Sequence, residues 1–303
     1  MSRFVLSLVT LTMLIACKLS ALPPFPAEVK KVVTFIYVSD KYLSGKSDNL
    51  IPNGTGFFVG VKNPKNPSYS SVYLVTAKHV LQDTTKAFFP KVAIRLNKRV
   101  GGVETIEIPL ILKGKDRDVF LHNDKSVELA VIPALPNPVI YDFQIMPEDF
   151  ITSKAAFDSL KIQEGAEVFF TGLFLPYQGV LRNYPIVRFG RVALLTNEKI
   201  QWSDQKMDLY LIETSSFGGN SGSPVFFYFE PVGPPGTTII GATPIFKLAG
   251  VILGFFGQPQ PIQVVETSKI PFSVSNIGIS AVVPSYKLHD ILFGNELKKL
   301  RKF

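Results

Sequence analysis

Ser221 stands in the string Gly218-Gly219-Asn220-Ser221-Gly222-Ser223-Pro224-Val225, a serine set among glycines ahead of an apolar run. A hydroxyl in such a loop is a candidate nucleophile. Glycine lets the backbone turn tightly and lets N–H groups approach a bound carbonyl, and such donors stabilise an oxyanion by about 3–4 kcal/mol each. The plainer reading is a glycine-rich turn with an inert serine. A serine becomes a useful nucleophile only when a base takes its proton, and the chain has three histidines. His79 ends the apolar run Tyr73-Leu74-Val75-Thr76-Ala77-Lys78-His79 at the mouth of a predicted turn. His122 lies in a polar loop and His289 in a predicted C-terminal helix, and both read as surface residues.

The elements that must carry these groups are short strands. Runs rich in β-branched and aromatic residues occupy 32–38, 57–61, 72–76, 92–96 and 105–111, separated by Pro, Gly, Asn and Asp. A second series follows at 167–174, 186–196, 209–213, 224–229, 250–256 and 278–283. Strands at this spacing predict an all-β barrel or sandwich. Between the two series, Pro133, Pro136 and Pro138 lead into the helix-friendly stretch 148–160. Pro284-Ser285 opens a predicted helix over 286–300, with Leu288, Ile291, Leu292 and Leu300 as its apolar side. The chain therefore divides into a β unit at 29–135, a linker at 136–164, a second β unit at 165–285 and a terminal helix at 286–303.

Thr76-Ala77-Lys78-His79 resembles the histidine motif of the chymotrypsin-like serine peptidases, and Gly219-Asn220-Ser221-Gly222-Ser223-Pro224 resembles their serine motif. Gly54-Thr55-Gly56-Phe57-Phe58-Val59 is similar to the strand before the histidine in bacterial members. Asn276 to Ala281, through Pro284-Ser285, is similar to their last strand and helix entry. The likeness spans about residues 29–295. It implies an all-β fold of two six-stranded antiparallel barrels with a C-terminal helix, and hydrolysis of polypeptide through an acyl-enzyme. His79 would be the general base and acid, Ser221 the nucleophile, and the N–H groups of Gly219 and Ser221 the oxyanion hole. No cofactor and no metal is implied.

The third member departs from the family. Val127-Glu128-Leu129-Ala130-Val131-Ile132 matches the segment in which an aspartate precedes Leu-Ala-Val, and here that position is Glu128. A glutamate can orient the imidazole and stabilise the imidazolium, but its extra methylene moves the carboxylate by about 1.5 Å. Asp124 is the alternative. The departure also leaves open a non-catalytic member that binds extended polypeptide in the barrel cleft. Asn220 replaces the aspartate with which digestive members bind a freshly cut N-terminus, so that activation is not implied. The resemblance places the substrate pocket at Ser215, Ser216 and Phe255. Ser215 is neutral, which gives no support to a Lys or Arg preference. The serine string is similar to that of glutamyl endopeptidases, but the strand Gly250-Val251-Ile252-Leu253-Gly254-Phe255-Phe256 lacks their pocket histidine. Phe255 would narrow the pocket towards small or aliphatic residues.

Of the 303 residues, 46% are hydrophobic and 18% charged, which excludes an intrinsically disordered chain. The net charge of +8 is scattered except at Lys298, Lys299, Arg301 and Lys302. No aromatic-interleaved basic motif accompanies it, so nucleic acid is not an expected partner. Residues 1–16 carry one arginine and then an apolar run from Phe4 to Ala16, the pattern of an export signal. The sole cysteine, Cys17, completes Leu14-Ile15-Ala16-Cys17, which resembles a bacterial lipobox. This predicts a lipid anchor on Cys17, a tether at 17–28 and a place in the bacterial cell envelope. Ordinary cleavage after Ala21 would instead release the protein.

Overall fold

The computed structural model describes residues 27–111, 118–229, 245–261 and 272–301. Cys17 and the predicted signal and tether up to residue 26 lie outside them.

A 3₁₀ turn, Ala27–Val32, leads into β1 (Val33–Ser39) and the short α1 (Asp40–Leu43). The long hairpin β2 (Leu50–Asn63) and β3 (Asn66–Ala77) follows, and β3 ends in a 3₁₀ turn, Lys78–Leu81. Next come β4 (Lys91–Asn97), β5 (Val103–Pro109), β6 (Phe120–Leu121) and β7 (Leu129–Pro133). These strands form a sheet in the order β5-β4-β1-β2-β3-β7-β6. Its two ends approach each other, because Asp118 N–H donates to Leu110 O just outside β5 and β6. The predicted linker holds β8 (Met146–Pro147), which pairs in parallel with β2 as the eighth strand, a 3₁₀ turn at Glu148–Phe150 and α2 (Lys154–Ser159).

The second unit is a closed six-stranded barrel. Its strands are β9 (Glu167–Gly172), β10 (Ile186–Leu194), β13 (Tyr210–Glu213), β14 (Pro224–Phe229), β15 (Ile245–Pro261) and β16 (Phe272–Pro284). They close in the order β10-β13-β16-β15-β14-β9, and a separate hairpin, β11 (Ile200–Trp202) with β12 (Gln205–Met207), stands beside them. The molecule is thus all-β with helix at the C-terminus, as expected, and one sheet is a closed six-stranded antiparallel barrel; the other has eight strands rather than six, because β8 adds in parallel to β2.

Adjacent phenylalanines show how the units share a core. Neighbouring strand residues point to opposite faces. Phe57, Phe169 and Phe226 enter one cluster with members from both units. Their neighbours Phe58, Phe170 and Phe227 enter clusters that draw on only one of the two units, together with linker residues. Both faces of these strands are therefore dry, which is why the runs read as continuous apolar stretches rather than alternating ones.

Some element boundaries also differ from expectation. The C-terminal segment is two helices, α3 (Ser285–Leu292) and α4 (Asn295–Arg301), not one. The chain leaves helical geometry at Phe293 and Gly294, where a Cβ on Gly294 would sit 2.8 Å from Asp290 O. The break turns Leu300 outward, 44% exposed, and puts Leu297 in the core instead. The strand predicted to reach Ile111 ends at Pro109, and Ile111 is exposed.

Phe169 packs on Phe226 with ring centroids 5.2 Å apart and meets Phe246 edge-on. Phe169→Ala should lower stability by about 3–5 kcal/mol, measured by chemical denaturation. A loss below about 1 kcal/mol would show that the shared cluster does not join the units as described.

Candidate active site

The register of β3 and β7 puts the first pair together. Ala77 lies opposite Leu129, and the next step, Lys78 N–H to Glu128 O at 3.2 Å, carries the antiparallel pairing one residue further. Glu128 is therefore the cross-strand neighbour of Lys78, with His79 one residue beyond. The carboxylate uses both oxygens. Oε1 takes the Lys78 ammonium at 3.0 Å. Oε2 accepts the His79 backbone N–H at 3.2 Å and faces His79 Nδ1 at 3.4 Å. The lysine and glutamate side chains are 14% and 12% exposed, while the His79 ring is open to solvent at 45%.

Lys78 is the member that sequence reading missed. Its ammonium also donates to Lys125 O at 2.9 Å, which ties the Glu128-bearing loop to the end of β3. Burial pushes the Glu128 carboxyl up, and the hydrogen bonds and charges of His79 and Lys78 together outweigh it, so the group lies below the usual carboxylate range. An ionised carboxylate beside a ring nitrogen fixes the tautomer with Nδ1–H inward and leaves Nε2 free to accept a proton.

Asp124 is engaged elsewhere. It accepts from the Ser126 N–H and hydroxyl at 2.9 and 2.7 Å and pairs with Lys199 at 3.3 Å. The Ser126 bonds hold its carboxyl well below the usual range. His122 is not the surface residue expected. Its side chain is 13% exposed, Nδ1 accepts the Asp124 N–H at 2.9 Å, and Nε2 faces Asp290 at 3.4 Å. His289 packs against Phe293 with the rings tilted, their centroids 4.6 Å apart.

The serine loop sits on the N-terminal edge of β14. Ser221 Oγ donates to Leu253 O at 3.0 Å. Asn220 N–H donates to Phe217 O at 3.0 Å across a tight turn, and Gly219 there has φ +88°, a conformation that favours glycine. Among the described residues no hydrogen bond claims the N–H of Gly219 or of Ser221. Asn220 is 2% exposed, and its amide is satisfied by Leu173 O at 2.6 Å and Phe217 N–H at 2.8 Å. Asn220 is thus a neutral bridge between the serine loop and Leu173.

His79 and Ser221 reach one neighbourhood through β2. Asn53 Nδ2 donates to Val80 O at 2.8 Å, holding the turn that carries His79. Two residues on, Thr55 N–H donates to Ser221 O at 2.9 Å. A Cβ on Gly54 would lie 2.7 Å from Val80 Cγ1 and 3.2 Å from Ser221 O, so only glycine leaves room for both.

Of the pocket candidates, Ser215 is exposed and Phe255 is half-buried in β15, opposite Ser280. Ser216 is fully buried and its hydroxyl meets that of Ser280 at 2.7 Å, so it faces the barrel wall rather than open space. Among the described residues no group of three or more His, Cys, Asp or Glu side chains is placed to hold a metal ion, and no helix is long and apolar enough to cross a membrane.

No family model matches the chain, and no curated protein matches it. Solved structures similar in outline include the MamO protease domain from Magnetospirillum magneticum, at 14% identity over 88% of this chain and 98% of that one, TM-score 0.48. An inactive mutant form of Rv3671c from M. tuberculosis gives 15% identity, 90% and 95% coverage and TM-score 0.41. A mutant of human heparin binding protein gives 10%, 87% and 90%, and 0.45. Likeness at this level assigns no residue a role.

A carboxyl whose folded pKa lies below its usual value near 4.5 stabilises the fold above that value, and the contribution is lost as pH falls through the folded pKa. In Lys78→Met the Glu128 carboxyl should rise, so its carbon resonance should titrate at higher pH. The stability of the variant should also fall less steeply on acidification. An unchanged titration would show that the ammonium does not hold this carboxylate.

Proposed function

We propose that the protein is a chymotrypsin-fold serine endopeptidase acting through His79, Glu128 and Ser221. The observation that carries the reading is the pairing of an ionised, clamped Glu128 with His79 beside a serine loop whose Gly219 and Ser221 N–H groups have no partner among the described residues. Free donors at a glycine turn suit a developing oxyanion, which they stabilise at no cost in reorganisation. His79 takes the Ser221 proton as the hydroxyl attacks the scissile carbonyl. The imidazolium then gives that proton to the leaving amine, and water repeats the sequence on the acyl-enzyme. Before attack, the Ser221 hydroxyl must turn from Leu253 O towards the ring. Apo sites are often looser than their substrate complexes.

The resting bond from Ser221 to Leu253 O favours one second reading: a weak or inactive member that binds extended polypeptide in the same cleft. For cleavage preference, the neutral, exposed Ser215, together with Phe255 on β15, supports uncharged side chains. Export and lipid anchoring through Cys17 remain part of the proposal on the strength of the N-terminal pattern.

A fluorophosphonate probe should label the full chain at a single serine, and Ser221→Ala should abolish labelling. Glu128→Gln should slow peptide turnover by as much as about 10⁴-fold. A chain that binds peptides but never labels would establish the binding reading instead. In a bacterial host, Cys17→Ala should move the protein from the membrane fraction to the soluble one, and unchanged fractionation would remove the anchor from the proposal.

A further inference from the structure

We infer that Thr55, on β2 of the N-terminal unit, is a positioning residue for the oxyanion donors on the serine loop of the other unit. The inference rests on the peptidase reading for its effect on chemistry, and on geometry alone for its effect on the loop.

Thr55 has no exposed surface, and all its polar groups near the loop are engaged. Its hydroxyl donates to Gly219 O at 2.7 Å and accepts from Leu173 N–H at 2.9 Å. A hydroxyl has one proton, so these partners fix its rotation. Its N–H holds Ser221 O at 2.9 Å, and its own carbonyl accepts from the Thr76 hydroxyl at 2.6 Å. Thr76 lies three residues before His79, so the same residue is tied to the strand that delivers the base.

These bonds fix the direction of three consecutive peptides, from Gly219 to Gly222. In a trans peptide the N–H points away from the carbonyl. The unit from Gly219 to Asn220 is held at both ends, by Thr55 Oγ1 on the carbonyl and by Phe217 O on the N–H. The unit from Ser221 to Gly222 is likewise held, by Thr55 N–H and by Ile252 O. Between them, Asn220 O accepts from Ser223 N–H at 3.0 Å, which aims the Ser221 N–H the opposite way. Among the described residues the Gly219 and Ser221 N–H groups stay unclaimed; the Ser221 N–H lies in the peptide between the two that Thr55 holds, and the Gly219 N–H adjoins the first of them. Leu173 completes the clasp, because its N–H is on Thr55 and its carbonyl on the Asn220 side chain.

Space around the contact is closed as well. A Cβ on Gly222 would sit 2.0 Å from Thr55 O and 2.4 Å from Thr76 Oγ1, so the serine loop is seated directly on this strand. Valine in place of Thr55 keeps the shape and removes the hydroxyl, leaving a buried carbonyl and a buried N–H without partners.

The test compares the full chain with Thr55→Val and Thr55→Ser. Labelling by a fluorophosphonate is followed against probe concentration, and backbone amide exchange is followed at Leu173 and Asn220. In Thr55→Val the limiting labelling rate should fall about 10²-fold, the size of effect a small misplacement produces. The half-saturating concentration should change little, and both amides should exchange faster. Thr55→Ser keeps the hydroxyl and should retain native labelling and protection. Native exchange and native labelling in Thr55→Val would overturn the inference, as would loss of both in a folded Thr55→Ser. A native chain that never labels, with exchange still raised by valine, sinks the peptidase reading while upholding Thr55 as the anchor of the loop.

Discussion

Residues 53–55 of β2 form the seam on which this molecule depends. The two units carry the groups of interest on separate sheets, and a sheet can orient only what is attached to it. Asn53 takes hold of the turn after His79, and Thr55 takes hold of the Ser221 loop. Gly54, between them, has no side chain to keep the two apart. Buried hydrogen bonds of this kind add little net stability each, but leaving any of them unmade exposes a polar group to a dry core. That asymmetry selects one arrangement of the units over neighbouring ones. The shared aromatic cluster supplies the burial that makes the seam dry.

Glu128 is held in place by its cross-strand neighbour. A carboxylate one methylene longer than aspartate has more conformers available, and pinning one oxygen removes most of them. Lys78 pins Oε1, and the His79 backbone N–H shares Oε2 with the ring. The lysine sits opposite Glu128 because the β3–β7 register continues past Ala77 and Leu129. Position along the ladder, rather than proximity in sequence, converts an unusual side chain into an oriented one.

Much of the architecture was legible in the chain because its signals are local. Strand runs such as 72–76 and 224–229 fall inside observed strands, since β-branched and aromatic residues bounded by turn formers state their own geometry. The helical segment after Pro284 was legible too, but not its division, because apolar spacing passes through Gly294 without marking a break. His122 was misread as a surface residue because the element that covers it, α3 with Asp290, arrives 168 residues later. The choice between Glu128 and Asp124 stayed open at the sequence level. Both are acidic residues of one segment, and only the Ser126 and Lys199 contacts show what occupies Asp124.

By itself the sequence determined the all-β class, the order of the histidine before the serine, and the places where glycine would free the backbone. Each of these follows from the chemistry of a residue and its near neighbours. The tertiary structure decided which carboxylate stands against the imidazole and which strand holds the serine loop. Those answers are hydrogen bonds between residues 49, 118 and 164 positions apart. A buried donor seeks whichever acceptor the packed units bring within reach, and no local pattern of residues specifies that partner.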